Sequence, residues 1–467
     1  MASADLIIRG TIVQSDAEPF EGELIIENHR IAAVRPGRSG AGARRVLQVE
    51  GSWIMPGVVD AHVHCLSDPA EGITNATRAA AAGGVTTIIE MPFDAGAPVN
   101  NLETFLRKKE RVQKEAVVDV ALLATIRKRG GLDQIQPMAE AGACGFKLSL
   151  FETDPERFPQ IPDDELFRAF RLIAETGLVV GVHAENTEIV NQWVSKLRAQ
   201  GRTDALAHCE SRPPVSETEA TLRAMELAHA TGARLHIFHV SLPRCIQFAK
   251  WFREQGLDVT TETCPHYLLL NEKDMERLGA KAKINPPIRT RKESEELWTL
   301  VENAAVDLVT SDHAPWQIQR KNRPNIFDNA SGAPGVQTLL PLLYSEGVFK
   351  RRLSPRRLVQ VLCDAPARRF GFSSRKGRLE SGYDADVIVL NPAETSTVET
   401  ARLLSSAGWS PYQGMTLQGR ITHVFMRGRA VVEDGEMMGE PGYGQFLPGT
   451  AARAAATDFA SASEFTK

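Results

Sequence analysis

Eight short apolar, β-branched runs recur along the middle of the chain, at residues 58–64, 85–91, 117–122, 145–148, 178–183, 235–240, 259–262 and 306–312. Longer stretches lie between them, and two of these, 163–175 and 217–229, place apolar residues three and four positions apart, as amphipathic helices do. A chain that repeats strand and helix eight times over about three hundred residues has few ways to bury both faces of its strands. No GxGxxG follows the first run, which argues against a doubly wound dinucleotide-binding sheet. The pattern predicts an α/β fold, a closed (β/α)8 barrel of the TIM type.

The two ends read differently. Residues 6–10 and 22–26 are short β-rich runs broken by turn residues, and similar runs return at 386–390, 421–428 and 430–433. Strands this short need partners, so both termini are expected to build one smaller β-sandwich domain together. The chain has 467 residues, more than one hydrophobic core can serve, which fits that division. The expected layout is 1–54 and 366–450 for the sandwich, 55–365 for the barrel, and 451–467 for a flexible tail of small and polar residues.

Composition removes several classes of function. Lys+Arg 54 against Asp+Glu 58 gives a net charge of −4 without a long basic run, so no nucleic acid partner is expected. No apolar stretch approaches membrane-spanning length and the N-terminus lacks a basic secretion signal, so a cytoplasmic protein with no membrane partner is expected. Six scattered cysteines without a CxxC pair suit a reducing compartment.

The chemistry gathers at strand ends. His62, His64, His183 and His239 fall at or beside the C-terminal ends of predicted strands, and Asp312 ends the eighth. In a barrel those ends converge on one face. His62 and His64, two residues apart on a strand, point to the same side and can grip one ion. A lone HxH carries little information; five ligand-type residues on four strands share no structural reason to line up. Imidazole plus carboxylate suits zinc, manganese, iron or cobalt. His236 has the parity of a structural residue, Cys65 that of a packing residue, and His313 is a candidate substrate or supporting group. Lys147 ends the fourth strand inside an apolar run, where an unpaired ammonium is costly. Either it pairs with a carboxylate or its charge is altered chemically, as a carbamate would do.

The run Met55-Pro56-Gly57-Val58-Val59-Asp60-Ala61-His62-Val63-His64 resembles the opening of the amidohydrolase superfamily. Glu90-Met91-Pro92, Gly145-Phe146-Lys147, Val182-His183-Ala184-Glu185-Asn186, Cys264-Pro265-His266-Tyr267, Asn285-Pro286-Pro287 and Ser311-Asp312-His313-Ala314-Pro315 are similar to the cyclic amidohydrolases: allantoinase, hydantoinase/dihydropyrimidinase and dihydroorotase. The resemblance implies a binuclear centre of two divalent metal ions, zinc first, with manganese, cobalt or iron as alternatives. It implies that His62, His64 and Asp312 hold one ion, that His183 and His239 hold the other, and that a CO2-derived carbamate on Lys147 bridges them. Asp312 would also be the catalytic group, general base and then general acid. For the substrate, a small cyclic ureide, the resemblance points to Asn285 and the loop Gly332-Ala333-Pro334-Gly335, with Gly335 and His313 as binding groups. A homotetramer is also implied.

Departures rank the substrates. Dihydroorotases carry an arginine two residues after the HxH, where this chain has Leu66, and the D-hydantoinase group carries a tyrosine where this chain has Glu152. The order expected is allantoin, then hydantoin or dihydropyrimidine, then dihydroorotate. A structural oligomer subunit of the same fold is the non-enzymatic alternative.

Overall fold

The computed structural model describes residues 4–450, so the expectation for the tail 451–467 lies outside the described residues. Four strands come first: β1 (Ala4–Ile12), β2 (Phe20–Glu27), β3 (Arg30–Pro36) and β4 (Ala43–Pro56). Then come β5 (Val58–Val63), β6 (Val85–Glu90), β7 (Asp119–Ala124), β8 (Gly145–Ser149), β9 (Val179–His183), β10 (Arg234–Ile237), β11 (Val259–Thr263) and β12 (Leu308–Val309). The last four are β13 (Val387–Thr397), β14 (Thr416–Met426), β15 (Arg429–Glu433) and β16 (Glu436–Met437).

Strands β5 to β12 pair in sequence order and in parallel, as the alternation of strand and helix requires. Beyond the short β12 the ladder continues irregularly. The His64 amide donates to the carbonyl of His313 (2.9 Å) and the His313 amide to the carbonyl of His62 (3.2 Å), which joins β5 to the chain after β12 and closes the barrel. The closing seam therefore runs through the HxH itself.

The remaining strands form one sheet in the order β16-β15-β14-β13-β4-β1-β2-β3, drawn from both ends of the chain. It is antiparallel except where β1 runs parallel to β4. Leu6, Ile8, Leu24, Ile54, Val387 and Phe425 build its own core, while Ile388, Leu390, Val424 and Met426, of opposite parity on β13 and β14, pack against the barrel. Among the described residues no helix is long and apolar enough to cross a membrane.

Candidate active site

At the C-terminal end of the barrel, His62 from β5, His64 just past it, Lys147 from β8, His183 from the end of β9, His239 just past β10 and Asp312 just past β12 come together. His62 Nε2 lies 3.1 Å from Asp312 Oδ1 and 2.7 Å from Lys147 Nζ; His64 Nε2 lies 3.7 Å from the same carboxylate oxygen. His183 Nδ1 faces His239 Nε2 at 3.0 Å. His239 and Asp312 take positive φ angles of 38° and 45°, a conformation disfavoured for residues with a Cβ, and both do so where their side chains turn into the site.

Three of the four imidazoles are aimed by a partner outside the ligand set. His62 Nδ1 bonds Glu262 Oε1 at 2.6 Å, and Glu262 also accepts from His236 Nε2 (3.1 Å) and the His239 amide (3.2 Å). His64 Nδ1 bonds Ser67 Oγ at 3.1 Å. His183 Nε2 donates to Glu185 at 2.8 Å, and Arg212 holds the other oxygen of that carboxylate at 2.9 Å. The ring nitrogens left over, His62 Nε2, His64 Nε2 and His183 Nδ1, face the site as lone-pair donors. Burial, reinforced by the charge of Lys147, holds His62 and His64 well below the ordinary histidine range, and burial likewise lowers His183 and His239. Neutral imidazoles are what a metal ion needs.

Lys147 is buried, and no carboxylate of the described residues forms an ion pair with it. Its amine touches His62 Nε2 and lies 4.4 Å from the centre of the Phe238 ring. That ring is admitted because residue 181 is glycine: a Cβ there would fall 2.1 Å from it. Burial pulls the amine down to about 8 against the attraction of Asp312 and Glu262, and burial pushes Asp312 up to about 8 with Lys147 acting against the shift. Of the two readings of Lys147 from sequence, pairing with a carboxylate is not what the geometry presents. Four imidazoles, a carboxylate and a buried lysine, with His239 Nδ1 buried and unbonded, form a donor set that suits two hard-to-borderline divalent cations.

A cavity of about 80 Å³ opens above this group, lined by His64, Lys147, His183, His239, Asp312 and Asn285, by Phe93, Phe158 and Trp316, and by Ser67, Thr153, Arg157, Ser331 and Gly332. Asn285 lines this cavity, with Oδ1 buried and unbonded. His313 and Gly335 stand elsewhere. His313 is buried behind the wall, with Nε2 3.3 Å from Glu71 and Nδ1 accepting from the amides of Gly335 (3.1 Å) and Val336 (3.4 Å). Its side chain has the parity opposite to Asp312, so it serves the closing seam, and Gly332 is the residue of that loop that borders the cavity. Sequence reasoning passed over Glu262, Glu185 and Arg157. The two glutamates had a signal, since Glu185 lies just past the end of ligand-bearing β9 and Glu262 near the end of β11, between the strands that lead to His239 and Asp312; Arg157, in a long loop, had none.

A family model described as the amidohydrolase family matches residues 53–431. The chain belongs to the amidohydrolase family. This amidohydrolase is 38% identical to an allantoinase from Rubrobacter xylanophilus, over 96% of this chain and 98% of the relative. It is 35% identical to an L-hydantoinase from Paenarthrobacter aurescens, over 95% and 98% respectively. Among solved structures it superposes on an L-hydantoinase (dihydropyrimidinase) from Arthrobacter aurescens with a TM-score of 0.92 at 35% identity, covering 95% of this chain and 100% of that one. It is a cyclic amidohydrolase, an enzyme acting on C–N bonds in cyclic amides.

Proposed function

We propose that this amidohydrolase opens the ring of allantoin to give allantoate. The observation that carries the reading is the pair of unsatisfied polar atoms on residues that line one cavity: Asn285 Oδ1, an acceptor, and Arg157 Nε, a donor. A ureide, N–H beside C=O, answers both, and allantoin presents a ureide twice, in its ring and in its tail. The neutral tail needs only hydrogen-bond partners, and the Arg157 guanidinium, whose charge burial and Arg320 oppose and Asp154, Asp94 and Asp68 favour, lies over Trp316 at 5.4 Å. A substrate carboxylate, as in dihydroorotate, would lack an arginine two residues after the HxH, where this chain has Leu66. Arg289, the other arginine that could reach such a group, is instead held by Glu217 and Ser241, away from the cavity.

Two divalent cations, zinc first, would be held by His62, His64 and Asp312 and by His183 and His239, with a carbamate on Lys147 between them; they would polarise the scissile carbonyl and lower the pKa of a water. The chain's own residues do the rest. Phe93 and Phe158, stacked 3.4 Å apart, and Trp316 exclude bulk water. Asp312 Oδ1 lies at the junction of the histidines and the cavity, where it takes a proton from the attacking water and returns it to the leaving nitrogen. Carbamate formation at Lys147 joins Nζ to the carbon of CO2 and, counted from the ammonium, releases two protons, one to free the lone pair that attacks and one from the nitrogen after the C–N bond forms, turning a buried cation without a counter-charge into an anion among cations.

Hydantoin hydrolysis is the second reading, favoured by the aromatic part of the cavity, which would take an apolar substituent at the ring carbon. A panel of allantoin, a 5-substituted hydantoin, dihydrouracil and dihydroorotate, assayed on one metal-loaded preparation, separates these. Allantoin is expected to exceed dihydroorotate in kcat/KM by a wide margin; comparable or reversed values would reject the assignment.

A further inference from the structure

Two backbone segments, 283–286 and 330–332, bring Asn285, Ser331 and Gly332 to the wall of the cavity, and their carbonyls are clamped almost one by one. Ile284 O accepts from His208 Nε2 (2.9 Å), Pro286 O from the Tyr267 hydroxyl (2.7 Å) and Ser331 O from Trp316 Nε1 (2.6 Å). Three more, Lys283 O, Ala330 O and Gly332 O, are all held by one group, the ammonium of Lys321, at 3.0, 2.9 and 2.8 Å. An ammonium has three N–H donors, and here each has one carbonyl. Lys321 is buried, and no ion pair among the described residues involves it. The nearest charge that acts on it is the ammonium of Lys283, which works against it together with burial. Such a group is expensive to keep, and a surface-seeking lysine had the whole loop through which to leave.

We propose that Lys321 is a positioning residue for substrate, a built-in cation that fixes the two wall segments so that Asn285 and Gly332 face the cavity. The geometry couples them directly: the Gly332 amide donates to Lys283 O at 2.9 Å, the same carbonyl that Lys321 holds. With the carbonyls drawn back toward the ammonium, the Asn285 side chain is left as the unbonded polar group of its segment. Without the ammonium, Ala330 O and Gly332 O lose their donor and Lys283 O keeps only the Gly332 amide, and the loop can satisfy the two stranded carbonyls only by turning, which moves the wall and leaves the metal ligands in place. The role is one of aim and does not extend to the reacting atoms.

This inference rests on reading Asn285 and the 330–332 loop as the substrate wall, so the test uses whichever cyclic amide the panel finds fastest and includes Asn285→Ala. In metal-loaded enzyme, Lys321→Met is expected to raise KM by about tenfold or more, with kcat within about threefold and metal content unchanged. In Lys321→Ala, propylammonium replaces the atoms removed and should bring KM down, whereas tetramethylammonium, which has no N–H, should not. Lys321→Gln, with two N–H donors, should fall between. If Asn285→Ala raises KM and Lys321→Met does not, the positioning role is overturned alone; if neither does, the substrate wall falls with it. Loss of metal with loss of kcat in Lys321→Met, or failure of all three Lys321 variants to fold, would also overturn the proposal.

Discussion

Two buried lysines near opposite ends of the barrel invite comparison. Lys376, where the barrel meets the terminal sheet, touches Asp119 (2.6 Å), Asp384 (3.0 Å) and Asp386 (2.6 Å), and Arg427 Nη1 donates to both oxygens of Asp119. Lys147 touches an imidazole and the faces of aromatic rings. Burial opposes the charge of both. At Lys376 three carboxylates outweigh burial and raise the amine above its ordinary value; at Lys147 the distant Asp312 and Glu262 do not, and the amine falls to about 8. The three aspartates around Lys376 would by themselves resemble a cation site, but the ammonium already fills it. Saturated charge fastens one domain to the other, while unsaturated charge marks the place where something must be added.

Replacing each lysine should therefore have opposite consequences. Lys147→Ala is expected to lose metal and to lower kcat/KM by a factor on the order of 10³ or more, and short carboxylic acids supplied with metal should restore part of both. Full activity without any additive would place Lys147 in the same class as Lys376. Asp312→Asn should keep the fold and reduce turnover by on the order of 10²–10⁴, because the amide can offer an oxygen but cannot carry the proton; near-normal turnover with metal retained would assign the proton transfer to another group. Lys376→Met should leave kcat and metal content of the folded enzyme unchanged and cost about 3–5 kcal/mol in stability, read as a lowered denaturation midpoint, since it strands buried carboxylates. The smallest effect is expected from Arg157→Leu: about a tenfold loss in kcat/KM for allantoin, and less for a hydantoin with an apolar substituent. Equal losses on both substrates would remove Arg157 from the recognition of the tail.

The parts of this contrast differ in how far the sequence announced them. The eight barrel strands were legible because buried parallel strands are continuous apolar runs. Their ends were less so: residues 117–118 precede β7, and the run at 235–240 leaves regular strand geometry after Ile237 because His239 takes a positive φ. The ligand set was legible because strand ends of a barrel meet whatever the loops do. Lys147 could be singled out as an anomaly, but its lack of a counter-charge could not, since a partner might have come from any loop. Lys376 drew no notice at all; its partners lie on β7 and in the segment leading to β13, far apart in sequence. His313 shows the limit from the other side: adjacency to Asp312 suggested a substrate or a supporting group without choosing between them, and the ring bonds Glu71 and the amides of Gly335 and Val336.

The interleaving of the two termini in one sheet has a consequence for biosynthesis. β4 leaves the ribosome early with β1 on one side, and its other edge is closed by β13, whose residues Val387–Leu390 pair with Trp53–Pro56. Until nearly the whole chain has been translated, that edge presents unpaired amides and carbonyls, the template on which nascent chains join one another. The enzyme thus completes its smaller domain last, although its first strand is made first, and the yield of soluble protein in a host cell should respond to translation speed and chaperone supply through β4 more than through any strand of the barrel.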